Sequence, residues 1–156
     1  MRYVFDTNSF IVIGHYFPER FPSFWAKFDA LVAAGRVLSV REVLRELDNH
    51  NTRLHLRNWI DANQSVFLVP TPQETQFVSQ IFAVPHFQNL LSKKQILAGG
   101  PAADPFVIAL AKVVGCCVVT EESKKDNAAR IPNVCEHFGL GWTNLEGLMQ
   151  SEGWCF

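Results

Sequence analysis

DPFVIALAKVVGCCVVTEE, residues 104 to 122, decides the fold. Asp104 followed by Pro105 is a helix start, because Asp caps free N–H groups and Pro suits the first helical turn. FVIALAKVV is then apolar enough for a helix sunk in a core, and Gly115 closes it. Cys116 to Thr120 reads as a β-branched strand, and the acids Glu121 and Glu122 follow directly.

The same grammar recurs on either side. Arg2 to Phe5 reads as a short buried strand ending on Asp6, and Val37 to Val40 as a second strand. Helices are predicted over 22–34, between Pro22 and Gly35, and over 41–49, where Val43, Leu44 and Leu47 keep helical spacing. Residues 54–62 are helical in character, and 66–69 are a strand or an apolar connection bounded by Pro70. Thr71, Pro72 and Glu74 start a helix to Phe82, His86 to Leu97 reads as helical, and Gly99, Gly100 and Pro101 then break the chain. A short helix over 132–138, a strand at Trp142-Thr143 and a helix over 144–150 complete the pattern. The residues after Asp6, NSFIVIGHYFP, lack a strong helical pattern. Short apolar strands alternating with helices give an α/β fold whose parallel sheet is covered on both faces. In such a sheet ligands sit beyond the carboxyl ends of the strands, where strand order switches. Asp6 and Glu122 both fall just past strand ends.

Composition narrows the class. The chain has 156 residues, 48% of them hydrophobic and 19% charged, which predicts one folded domain over 1–156 rather than a disordered segment. Thirteen Phe and four Trp exceed what a core of this size requires, so a subunit interface is expected to take some of them. A net charge of −1 gives no global pull on nucleic acid, so binding it would require a local basic patch. The N-terminus does not read as a signal peptide, and no apolar run is long enough for a membrane span. Cys116, Cys117, Cys135 and Cys155 form no C-x-x-C pair and share no ligand spacing with the histidines. They read as reduced thiols of a cytoplasmic protein, not as a zinc site.

The acids carry the chemistry. Each has an ordinary alternative: Asp6 and Asp104 as helix caps, Glu42 and Glu46 as a solvated helix face, Glu121, Glu122 and Asp126 as a charged loop beside Lys124 and Lys125. Glu46 lies between Leu44 and Leu47 and so points along the core edge, while Glu42 remains an alternative to it. Were Asp6, Glu46, Asp104 and Glu122 to converge, their repulsion would call for a countercharge. Two unit charges about 4 Å apart interact by about 4 kcal/mol at an effective dielectric of 20. Oxygen donors without His or Cys suit Mg²⁺ or Mn²⁺.

Taken in order, YVFDTNSFI, SVREVLREL, ADPFVIALA and VVTEE resemble the motifs of a PIN domain. The FPSFW segment and IPNVCEHFG add likeness to a bacterial PIN-like subfamily of unknown function, related to VapC-type toxin ribonucleases. The resemblance implies a Rossmann-like three-layer α/β/α sandwich with a central, mostly parallel sheet. It implies a metal-dependent endoribonuclease, the toxin of a toxin–antitoxin pair, leaving 5′-phosphate and 3′-hydroxyl ends. Asp6, Glu46, Asp104 and Glu122 match the metal-binding and catalytic acids, with Mg²⁺ or Mn²⁺ as cofactor. Glu122 departs from the usual Asp by one methylene. Asn8 and Thr120 match small polar residues that support the acids. Arg41, Arg45, Lys124 and Lys125, with Arg53, Arg57 and Arg130, are candidates for RNA phosphate contacts. Trp25 and Trp59 suit base stacking or the core, and the core is the simpler place. RNA, an antitoxin protein and a second copy of the chain are the implied partners, and no membrane is. Two rivals remain: a PIN scaffold with a decayed site that acts through a protein partner, and a Mg-dependent phosphatase. The phosphatase reading wants a second Asp where Asn8 stands.

Overall fold

The computed structural model describes residues 1–91 and 103–156. Among them, five strands form one parallel sheet: β1 (Tyr3–Phe5), β2 (Val37–Val40), β3 (Phe67–Leu68), β4 (Cys117–Val119) and β5 (Trp142–Thr143), in the spatial order β3-β2-β1-β4-β5. The chain starts in the middle of the sheet and builds outward to β3. It then crosses back to the other side of β1 for β4 and β5. The order therefore reverses between β1 and β4, which makes their carboxyl ends the switch point. Register sets Phe5 opposite Val119, so the next residues, Asp6 and Thr120, emerge side by side.

Parallel strands need crossovers, and helices supply them. Among the described residues the α-helices are α1 (Thr7–Ile13), α2 (Pro22–Ala33), α3 (Arg41–Asp48), α4 (Leu54–Ala62), α5 (Pro72–Phe82), α6 (Ala103–Val114), α7 (Ile131–His137) and α8 (Leu145–Ser151). The punctuation works as its chemistry dictates. Thr71 caps α5 by accepting from the Glu74 N–H at 3.3 Å, ahead of Pro72. Gly35 and Gly115 stop α2 and α6 in left-handed conformations, at φ of 67° and 73°, where a side chain would be strained. The fold is the expected three-layer α/β/α sandwich.

Local departures from the sequence reading have physical causes. The residues after Asp6 do form a helix, α1, because tertiary burial of Ser9, Phe10 and Ile13 and an Asp6 cap supply what periodicity does not. Residues 66–69 resolve into the end of a 3₁₀ turn at Gln64–Val66 and the strand Phe67–Leu68. Pro85–Leu90 is a 3₁₀ helix rather than an α-helix, and residues 92–97 of that predicted helix lie outside the described residues. So does the predicted break at 99–101.

The core takes most of the described aromatics. Phe10 is fully buried, with ring centroids 5.5 Å from Phe5, 5.9 Å from Trp59 and 5.3 Å from Phe67. Phe28 joins Phe5 at 5.7 Å and Trp59 at 5.3 Å. Trp25 and Trp59 are both buried, with indole N–H groups donating to the Tyr16 carbonyl and the Asp29 carboxylate, so neither is free to stack on a base. Phe17, Phe21 and Phe156 are the large exposed aromatics among the described residues. Because Phe10 packs α1 onto the sheet, Phe10→Ala is expected to destabilise the protein by about 3–5 kcal/mol, the range for truncating a buried Phe. Urea unfolding checks this, and a loss under about 1 kcal/mol would show that α1 is not anchored by that ring.

Candidate active site

Asp6 stands at the switch point with both oxygens engaged. Oδ1 accepts the Ser9 backbone N–H at 2.7 Å, which caps α1, and Oδ2 accepts the Thr120 hydroxyl at 2.7 Å. Thr120 Oγ1 in turn accepts the Glu122 N–H at 3.2 Å. Asp6 and Thr120 are both buried, so these bonds form away from water's competition. The Ser9 hydroxyl ties α1 to the same place by donating to the Val119 carbonyl at 2.9 Å.

The second acid arrives on α3. The Thr7 hydroxyl donates to Glu46 Oε2, and Glu46 Oε1 accepts the Ala103 N–H at 3.3 Å. That bond draws the start of α6, and with it Asp104, toward Glu46. Glu122 follows β4, and its Oε2 accepts the Ile131 N–H of α7 at 3.0 Å. Its neighbour Glu121 accepts the Leu145 N–H of α8 at 2.8 Å, a structural task.

Charge shows that the four acids share one region. Burial, then the charges of Glu122, Glu46 and Asp6, push the Asp104 carboxyl up to about 8. Burial raises Asp6 to about 6, opposed by its bonds to Ser9 and Thr120 and reinforced by Glu122. The Lys and Arg ion pairs of the described residues join Arg36 to Glu152, Arg41 to Glu42, Arg57 to Asp48 and Lys124 to Glu136, and none reaches these four acids. An all-oxygen anionic set without a paired cation is the chemistry that Mg²⁺ and Mn²⁺ select, so the donor types fit. As the side chains stand, no three His, Cys, Asp or Glu groups among the described residues are close enough to hold one ion.

The remaining predicted residues divide. Thr120 touches Asp6 as described above. Asn8 does not support the acids: it is exposed on α1, and among the described residues no hydrogen bond joins it to them. Thr7 and Ser9, its neighbours, make those contacts instead. A motif of small polar residues marks the region, but only the helical turn decides which ones face inward. Glu42 is buried and held by Arg41 at 3.1 Å, and it is absent from the charges acting on Asp104, where Glu46 is present. Arg45, Lys125 and Arg130 are exposed, Lys124 pairs with Glu136, and Arg57 pairs with Asp48 at 2.5 Å. All four cysteines carry free thiols, and no helix among the described residues is long and apolar enough to cross a membrane.

Comparison with known proteins agrees with this geometry at the level of fold. The chain belongs to the family described as Domain of unknown function (DUF4411), whose model matches residues 3–156. No curated protein matches it. Among solved structures, one chain of VapBC2 from Rickettsia felis, bound to a DNA fragment from their promoter, superposes with a TM-score of 0.52. The match covers 92% of this chain and 98% of that one at 15% identity, which establishes a PIN-like fold.

The raised acids fix a pH dependence. Unfolded, Asp104 and Asp6 would ionise near about 3.9, well below their folded values of about 8 and 6. The folded state therefore holds protons that the unfolded state releases, and its stability falls as pH rises from about 4 to about 8. Asp104→Asn removes the larger contribution. In metal-free buffer the variant is expected to exceed the wild type in stability by a few kcal/mol at about pH 8, with the gap closing toward about pH 5. Urea unfolding at both pH values measures the gap, and one that stays constant with pH would contradict the clustering.

Proposed function

We propose that this chain is a single PIN-like domain acting as a metal-dependent endoribonuclease that hydrolyses RNA phosphodiester bonds, as the toxin of a toxin–antitoxin pair. The observation that carries the reading is geometric: hydrogen bonds through Thr120, Thr7 and the Ala103 N–H tie Asp6, Glu122, Glu46 and the start of α6 together beside the switch point, with none of the four acids in an ion pair with Lys or Arg among the described residues. The VapBC2 likeness supports the fold and a protein partner for it.

Asp6, Glu46, Asp104 and Glu122 would hold Mg²⁺ or Mn²⁺. Such a cation, when bound, supplies Lewis-acid activation of water and neutralises charge developing on the phosphate. The chain's own groups do the positioning. Thr120 and Ser9 fix both Asp6 oxygens, and Thr7 fixes Glu46. A carboxylate of the set would orient or deprotonate the attacking water. A homodimer would use the exposed Phe17, Phe21 or Phe156.

A second reading, a PIN-scaffold binding protein acting through a partner, draws on one observation: Asp6, Glu46 and Glu122 already accept hydrogen bonds from the protein, and no three donors stand together among the described residues. The two readings separate in one experiment. A mixed RNA pool is incubated with wild type, Asp6→Asn and Asp104→Asn in Mn²⁺, Mg²⁺ or EDTA. The nuclease reading expects cleavage in Mn²⁺ or Mg²⁺, none in EDTA, and a loss of about 10²-fold or more in each variant, comparable to removing one charge-stabilising group from an active site. Cleavage that survives both substitutions places the site elsewhere. Absent cleavage, together with no Mn²⁺ binding by calorimetry, selects the binding protein.

A further inference from the structure

The face that α1 and α3 share does not end at the acids. Thr7 meets Glu46; Ile11 stands one turn past Thr7 on the same face of α1, and His50 follows two residues beyond the end of α3 at Asp48. Both line a cavity of roughly 530 Å³ between the end of α1 and the start of α4. One helical turn, about 5.4 Å of rise, separates the cavity's near edge from the Thr7–Glu46 contact.

The cavity's lining carries one permanent positive charge, on Arg53; His15 and His50 add imidazoles that can donate hydrogen bonds, and no Asp or Glu among the described residues lines it. All three are exposed. Arg53 Nη2 lies 3.5 Å from His15 Nδ1, and its guanidinium sits over the exposed Phe17 ring at 5.2 Å. Among the described residues no carboxylate pairs with Arg53, whereas Arg57, one turn on, is paired with Asp48. A permanently charged guanidinium beside an imidazole, without an acid, is an arrangement an anion completes. The first turn of α4 borders the cavity without a side-chain cap, which adds to the same field. Ile11, Leu54 and Leu56 form apolar walls. Charge for a phosphate and walls for a base, in a volume typical of small-ligand sites, match a nucleotide better than an acidic peptide.

We infer that this cavity is a subsite for single-stranded RNA: Arg53, His15 and His50 bind a phosphate of the strand next to the one presented to the acids. The inference rests on the nuclease reading for its substrate class. It gives the chain the local basic patch that its net charge of −1 withholds overall.

Binding of a fluorescein-labelled, mixed-sequence single-stranded RNA is measured by anisotropy in EDTA, where no cleavage intervenes. The proteins are wild type, Arg53→Gln, His50→Gln, the double variant and a Lys112→Gln control. Each cavity substitution is expected to weaken binding several-fold and the pair by about tenfold or more, with the salt slope shallower by about 0.7 for each phosphate that is no longer neutralised. The control should bind as wild type does. In cleavage assays the same substitutions should raise KM and leave kcat. Hydrogen exchange on the wild type needs no variant: added RNA should protect residues 50–56. Variants that bind as wild type does, or RNA that leaves 50–56 unprotected, would overturn the subsite. So would displacement of the RNA by equimolar poly-glutamate, which would assign the cavity to an acidic protein partner. Metal-dependent cleavage lost in Asp6→Asn would leave the nuclease reading standing in each of those cases, and its absence would remove that reading separately.

Discussion

Asp6 ties the first helix to the switch point of the sheet. One oxygen holds the first turn of α1 and the other holds Thr120 at the end of β4, so a single carboxylate fastens a helix to the two strands between which the sheet order reverses. Ser9 repeats the link from the backbone side through Val119. Removing one partner from such a buried network leaves the other unsatisfied, which costs more than the bond itself contributes. The position of every other acid is measured from this knot. Glu122 hangs from Thr120 by its N–H, and Glu46 is reached through Thr7, one residue past Asp6.

The same knot explains why the acids tolerate one another. Desolvation drives Asp6 and Asp104 toward their neutral forms, and Glu122 adds to it in both. A fold built only for stability would offset that with an arginine or with apolar contacts, since isolated buried charge is expensive. Here the ion pairs of the described lysines and arginines lie elsewhere. What the structure supplies instead is hydrogen bonds, from Ser9 and Thr120 to Asp6, from Thr7 and Ala103 to Glu46 and from Ile131 to Glu122.

Much of this was legible in the sequence because it is local. The run from Asp104 to Thr120 spells helix, glycine stop and strand within twenty residues, and each signal has a short-range cause. The expected placement of Trp25 and Trp59 in the core is likewise what the structure has. What was not legible is long-range. α1 reads poorly as a helix because its stability comes from Phe10 packed on Phe67 and from a cap whose other oxygen is fixed by a residue 114 positions away. Asn8 stands in the conspicuous triplet DTN, yet helical geometry turns Asn8 to solvent and sends Thr7 and Ser9 inward. Glu42 and Glu46 share a helix face on paper, and only the docking of α6 selects Glu46, through the Ala103 N–H.

The basic cavity was illegible for the same reason. His15 and Arg53 are 38 residues apart and meet only because α1 ends where α4 begins. This gives α1 two roles from one seven-residue segment. Its first turn is closed by Asp6, and its end leads into Gly14 and His15 at the cavity. Phe10 sits between the two ends, buried against the sheet, so acid and cavity are held on one rigid body at a fixed separation. A substrate strand that met the acids alone would face only negative charge. Under the proposed subsite, Arg53 at the far end of α1 would oppose that repulsion by attracting a neighbouring phosphate.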